Sequence, residues 1–359
     1  MKKFLAVALV AVIVLSFVGC SGSNAQIDIN AAAGAGAGQT NLVYGDFIYA
    51  VNEGGDYEIT GYTYSGAANK AVVIPDDIGG RPVTGIADSA FKSVTTMTEV
   101  TLPKSLEYIS ASAFYGCNLL KSVTVPATVT KIGDNAFWGC TSLESVTFAE
   151  NSALAKIGNN AFMGCTALKK MNITTSLTSI ADGTFYGCTE LAEVSLPATL
   201  ETIGNSAFYG CTKLTKLTFA DNCALKSIDM SAFSGCIALE NVVLPASLEI
   251  IEENVFFECK AFTDIVIPAS VVRIKTGAFG GCTALEKVTF LNADIAIGST
   301  EKDTLGNPVV VDPDARLFVN CPNVKVVANE KSSADATKKS NVAEYAEIIG
   351  IICESPASN

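Results

Sequence analysis

Hydrophobic and polar positions along this chain recur as a unit rather than only alternating. In Ile132-Gly-Asp-Asn-Ala-Phe-Trp-Gly-Cys-Thr-Ser-Leu-Glu-Ser-Val-Thr-Phe148 the apolar positions are Ile132, Ala136, Phe137, Cys140, Leu143, Val146 and Phe148. The start is helix-like and the end has period two. Val146 and Phe148 therefore fall on one side of an extended segment and Ser145 and Thr147 on the other, which predicts a short strand. Equivalent stretches are Glu99-Val-Thr-Leu102, Ser122-Val-Thr-Val125, Glu193-Val-Ser-Leu196 and Asp264-Ile-Val-Ile267. Pro103, Pro126, Pro197, Pro245 and Pro268 follow many of them, and a residue without an N–H ends a strand. Ahead of the Ala-Phe pair stands Asp or Asn (Asp88, Asp134, Asn159, Asp182, Asn205), where a side-chain oxygen is expected to cap a one-turn helix.

The Phe of each such pair marks the period: Phe91, Phe114, Phe137, Phe162, Phe185, Phe208, Phe233, Phe256 and Phe279, then Phe318. The marks lie 23 or 25 residues apart until a last gap of 39. That spacing predicts an α/β repeat solenoid of the leucine-rich kind, with a parallel sheet on one face and short helical turns opposite. A single coil cannot bury its own apolar face, so neighbouring coils supply the core.

The pattern Ile-Gly-x-x-Ala-Phe-x-Gly-Cys-Thr-x-Leu-x-x-Val-x-Leu-Pro resembles the BspA-like leucine-rich repeat proteins of bacterial and protist cell surfaces, over roughly residues 44–327. The resemblance implies a right-handed, curved superhelix whose sheet lines the concave side. It also implies adhesion to host matrix proteins and to other microbes. Val94 in place of Cys and the insertion before Phe318 depart from the pattern and look like capping units.

Residues 1–19 have the three parts of a secretory signal: Lys2 and Lys3, an apolar run, and Val18-Gly19 before Cys20. Val18-Gly19-Cys20 is similar to a lipobox, which implies lipidation of Cys20 and a membrane anchor. Loss of residues 1–19 would remove Lys2 and Lys3 and take the net charge from −12 to −14. Residues 20–40 read as a flexible Gly/Ala/Ser tether, and 41–83 as a small antiparallel β cap with segments at 43–51, 57–63 and 70–74. The solenoid is expected over 84–328, with an insertion at 292–316 and a tail at 329–359 that docks on the last coil or frays. Extra residues in the 25-residue periods form bulging turns at 149–154 and 220–225. Glu301, Asp303, Asp312 and Asp314 make the insertion acidic, a calcium loop or a solvated one.

Composition narrows the function. Charged residues make up 17% of the chain and the three arginines are dispersed (Arg81, Arg273, Arg316), so no nucleic-acid partner is expected. The sequence contains no histidine, which removes His-dependent nucleophilic catalysis. Paired-carboxylate glycoside hydrolysis needs none, yet no pair is marked, and a non-enzymatic protein without cofactor or metal is expected. Three residues after nine of the marks stand Cys117, Cys140, Cys165, Cys188, Cys211, Cys236, Cys259, Cys282 and Cys321. Stacked coils put equivalent Cβ atoms about 4.7–4.9 Å apart, whereas a disulfide needs about 3.5–4.5 Å. A buried ladder of free thiols is therefore expected, with Cys223 exposed in its bulging turn.

Two columns are candidate binding surfaces. One is the outward strand column, with Thr124, Thr147, Asn172, Ser195, Thr218 and Val243 at its centre. The other follows the mark Phe: Tyr115, Trp138, Met163, Tyr186, Tyr209 and Phe257. Aromatic side chains suit contact hot spots, and equally each ring can lie on the neighbouring coil. The expected protein is a lipid-anchored, surface-exposed monomer that binds matrix or cell-surface proteins. A passive spacer or envelope scaffold, and a glycan-binding accessory of an uptake system, remain open.

Overall fold

The period-two stretches and the short Lys-Ile-like pairs both form strands in the computed structural model, which describes residues 42–63, 70–173, 176–298, 313–328, 339–348 and 350–356. The expected signal sequence, Cys20, the expected tether and the acidic residues Glu301, Asp303 and Asp312 lie outside the described residues. The chain forms a solenoid of stacked parallel β-coils with little helix. Most coils run from a long strand, through a turn, to a two-residue strand, then through the Ala-Phe segment back to the next long strand.

The long strands pair in parallel and in register. Ser122–Val125 matches Ser145–Phe148 at four positions, and Glu193–Leu196 matches Lys216–Phe219 at four. Asp264–Ile267 pairs with Lys287–Phe290, which pairs with Lys325–Val327. Val123 and Val125 are buried while Ser122 and Thr124 are exposed, as the alternation requires. A second parallel column, absent from the sequence reading, is built from pairs such as Tyr108–Ile109, Lys131–Ile132 and Lys156–Ile157. After a break it resumes as a separate sheet through Ser179–Ile180, Thr202–Ile203, Ser227–Ile228, Ile250–Ile251, Arg273–Ile274 and Ala296–Ile297. The Ile that ends each of these pairs is buried.

The predicted capped helical turn is corrected. The Ala-Phe segment is a run of turns, and its amides alternate between two partners. Ala113, Tyr115 and Cys117 donate to carbonyls three residues back, whereas Ser112, Phe114 and Gly116 donate to Asp134, Ala136 and Trp138 of the next coil. An α-helix would send every amide four residues back, so half of this backbone is committed to stacking instead. The alternation needs a left-handed residue on each side of the mark, Ser112 at φ 55° and Gly116 at φ 70°, then Asn135 at 57° and Gly139 at 70°. That accounts for the Gly two residues after most marks. Nor does the Asp cap its own turn: Asp88, Asp134 and Asp182 accept from the amides of Ala111, Asn159 and Asn205, one coil on, at 2.8–2.9 Å.

A column of parallel rings runs through the core, among buried Leu, Ile, Val and Cys side chains. Phe91 through Phe279 are fully buried, and Phe318 nearly so. Successive centroids lie 5.1–5.9 Å apart with planes within 17°. Phe279 and Phe318 keep this stack despite the 39-residue gap, because Gly277 and Phe279 donate to Ala315 and Leu317.

At the N-terminal end Leu42–Tyr44, Phe47–Val51 and Tyr57–Tyr62 pair antiparallel, and Tyr57–Tyr62 then pairs parallel with Arg81–Ile86. The third expected cap segment is different: Ala71–Val73 pairs parallel with Glu99–Thr101, as an early rung of the long-strand column. At the other end the helix Asn341–Ile348 packs on the last coil, where Val342 donates to the Ala293 carbonyl and the Tyr345 hydroxyl accepts from the Leu317 amide. Cys353–Glu354 then extends the sheet beside Lys325–Val327.

Candidate functional site

The nine ladder cysteines are free and buried. Each thiol donates to the carbonyl of the preceding coil's mark Phe, Cys140 to Phe114 and Cys165 to Phe137, for example, both at 3.2 Å. Burial pushes the thiols of Cys117, Cys188, Cys236 and Cys282 up to about 12, and those of Cys140, Cys165, Cys211 and Cys259 well above the ordinary value. Cys321, at the last coil, is raised for the same reason. Thiols so held are neither nucleophiles nor metal ligands at neutral pH. They act as small core residues that also satisfy a carbonyl. Cys223 is not exposed as expected; it is buried, with its sulfur turned toward the carbonyls of Pro197 and Leu200.

The aromatic column resolves into pairs, because each side chain leans along the stack. Tyr186 and Tyr209 stack at 4.8 Å and 9°, and Tyr115 lies 5.5 Å from Trp138, with the Lys92 ammonium 5.1 Å over the Tyr115 ring. All four are partly exposed, Tyr209 most. Met163 separates the pairs in sequence. Phe257 belongs to neither pair; it lies against Gly280, where an added Cβ would come within 3.0 Å of its ring.

The outward strand column is a hydroxyl ladder at its centre. Thr147 donates to Thr124 at 3.1 Å and Thr218 to Ser195 at 3.0 Å. Thr124, Thr147 and Asn172 are exposed, and Ser195 and Thr218 half-buried. Ion pairs cross the coils beside them, among them Lys170 with Glu193 at 2.8 Å, whose hydrogen bond and charge lower the Glu193 pKa. Val243 stands in this column by position but not in the sheet. Residues 241–244 form no strand, and the long-strand sheet ends at Lys216–Phe219 and resumes at Asp264–Ile267.

No catalytic arrangement stands out among the described residues. The polar recess at the N-terminal end, lined by Asn52, Glu58, Thr84, Glu107 and Tyr108, holds a phenol that donates to Glu58 at 2.9 Å. Burial pushes that phenol up to about 12, far from a useful base. No cluster of three or more metal-ligating side chains occurs among the described residues, nor a helix long and apolar enough to cross a membrane.

Comparison with known proteins fits this geometry. The model of the BspA type leucine rich repeat region, in six copies, matches residues 58–190 and 178–300. The chain belongs to the BspA-type leucine-rich repeat family. The coils within residues 58–300 are thus BspA-type repeats. Among solved structures, the chain is similar to a leucine rich repeat protein of T. pallidum (29% identity, 55% of this chain and 89% of that one, TM-score 0.47). It is also similar to a leucine rich cell surface protein of Faecalibacterium prausnitzii (22%, 86% and 99%, TM-score 0.33) and to the pneumococcal vaccine antigen PcpA (17%, 90% and 100%, TM-score 0.43). None of the curated proteins matches.

Proposed function

We propose that this BspA-type protein is a non-enzymatic surface adhesin that binds extracellular matrix or cell-surface proteins through its extended solenoid. The N-terminal sequence supports export with lipidation at Cys20. In this reading the solenoid curves as a right-handed superhelix, with the long-strand sheet on its concave side. The observation that carries the reading is the pairing of Tyr115 with Trp138 and of Tyr186 with Tyr209. Rings ordered on a rigid stack yet open to solvent lose little conformational freedom when a partner covers them. Affinity is spread over several coils, as a one-dimensional stack allows.

A biosensor panel of matrix proteins and glycans tests this, with wild-type chain beside a variant carrying Tyr115→Ala, Trp138→Ala, Tyr186→Ala and Tyr209→Ala. Specific protein binding that the folded variant loses supports the aromatic face. Binding unchanged in the variant moves the site to the strand column, and no binding to any panel member favours a passive spacer.

A further inference from the structure

The break in the long-strand sheet follows from the repeat length. Two extra residues come after Ser145–Phe148 and after Lys216–Phe219, in the turns at 149–154 and 220–225. At the first, the strand keeps only its Ser145–Lys170 rung with the next coil. At the second, no rung survives. A longer turn on one coil cannot nest on the shorter turn of the next, so the strand ends beside it splay. On the other side, the Asn241 side-chain amide is placed to donate to the carbonyls of Glu240 at 3.0 Å and Asp264 at 3.2 Å, so a side chain takes up a carbonyl that faces this coil. Side-chain bonds of this kind compete with a ladder. The short-strand column is continuous here, Ser227–Ile228 to Ile250–Ile251 to Arg273–Ile274, so the stack holds while the outer sheet gapes.

We propose that this breach is a docking slot for an extended peptide segment of a partner protein, added as a strand beside residues 241–244; the proposal rests on the protein-binding reading above. The amides of Asn241, Val242, Val243 and Leu244 donate to no backbone carbonyl among the described residues. Open donors and acceptors repeating at about 3.3 Å are complemented by another extended backbone. A lipid chain offers no such donors, and a sugar does not repeat them at that spacing. On one side of the segment runs a groove of about 920 Å³ that reaches Phe219, Val243 and Pro245. On the other lies an apolar groove of about 310 Å³ beside Val243, Val266 and Leu291. Val243 is 88% exposed, Val266 51% and Leu291 59%, and the positions equivalent to Val243 and Val266 in earlier coils are Thr, Asn or Ser. The slot thus offers main-chain pairing over about four residues and takes apolar side chains on its outward face.

The test uses the full chain and a fluorescein-labelled peptide with the sequence of residues 119–127, which is a repeat strand of this protein. Saturable anisotropy is expected with wild type. Binding should weaken about tenfold or more, one to two apolar contacts' worth, in a V243K/V266K chain, whose substitutions are on exposed positions and leave the circular dichroism unchanged. A peptide N-methylated at alternate amides, which keeps its side chains, should lose binding. Absence of binding, equal binding of the N-methylated peptide, or equal binding by V243K/V266K would each overturn the slot. Failure here is separable from failure of the adhesin reading. A matrix protein bound equally by wild type and V243K/V266K removes the slot alone, whereas peptide binding without any panel partner removes the matrix-adhesin reading alone.

Discussion

Replacing Phe137 by Ala removes a ring that is fully buried and stacked on both faces, 5.1 Å from Phe114 and 5.3 Å from Phe162 with planes 4° and 3° apart. Coils spaced about 4.8 Å slip those rings by roughly 2 Å, the offset arrangement aromatic pairs favour. Truncation to Ala should cost about 3–5 kcal/mol, the stacking loss included. Each coil touches only its neighbours, so the loss should fall on the coils of Phe114, Phe137 and Phe162. Hydrogen exchange read by mass spectrometry measures this directly. A local loss of about 4 kcal/mol accelerates exchange by roughly a thousandfold across residues 110–165, while residues 264–290 keep their protection. Phe137→Leu, which retains most of the volume, should cost about 1–2 kcal/mol. Uniform acceleration along the chain would refute nearest-neighbour stacking, and unchanged exchange would refute the packed ring column.

Three other expectations follow from the same geometry. At pH 8 the nine ladder thiols should resist an aromatic disulfide reagent in the native chain and react on denaturation. The folded pKa of Cys117, Cys188, Cys236 and Cys282 is raised from about 9 to about 12, so the stability these four contribute is complete below pH 9 and falls as pH rises toward 12, by on the order of 1 kcal/mol per thiol per pH unit; denaturant titrations at pH 8 and 10 check the sign. Gly133→Ala should destabilise by about 1–3 kcal/mol in urea titration, because its Cβ would sit 2.6 Å from the Ala111 amide nitrogen. Asp134→Ala should cost about 0.5–1.5 kcal/mol and raise exchange at the Asn159 amide of the next coil, rather than within its own turn as a helix cap would.

What was legible in the chain is what repeats at full length. The Phe marks and the Cys three residues later fixed the ring column and the thiol ladder, because equivalent positions on stacked coils must share one environment. Four-residue strands showed through their alternation. The two-residue strands did not: Lys131–Ile132 is too short to display a period, so Ile132 reads only as one more apolar position. The Asp and Ala-Phe signature reads as a helix cap when one coil is considered alone. Its oxygens serve the neighbouring coil, an interaction that appears only once coils are stacked, although the Gly at positions such as 116 and 139 signalled left-handed turns. The 25-residue periods were visible, and so was the change from Thr218 to Val243. That the extra residues open the sheet between them depends on how two unequal turns meet. For the binding columns, the repeat places Tyr115, Trp138, Tyr186 and Tyr209 but not their pairing, and puts Phe257 with them although its ring lies against Gly280.

The adhesin reading stands or falls on the chemical class of its ligand. Beads carrying the full chain, presented to a matrix-coated surface, should adhere, and adhesion should be lost after the surface is treated with trypsin but survive glycosidases. Adhesion that survives trypsin and disappears with glycosidases, or no adhesion by a chain that remains folded, would contradict a protein-binding solenoid.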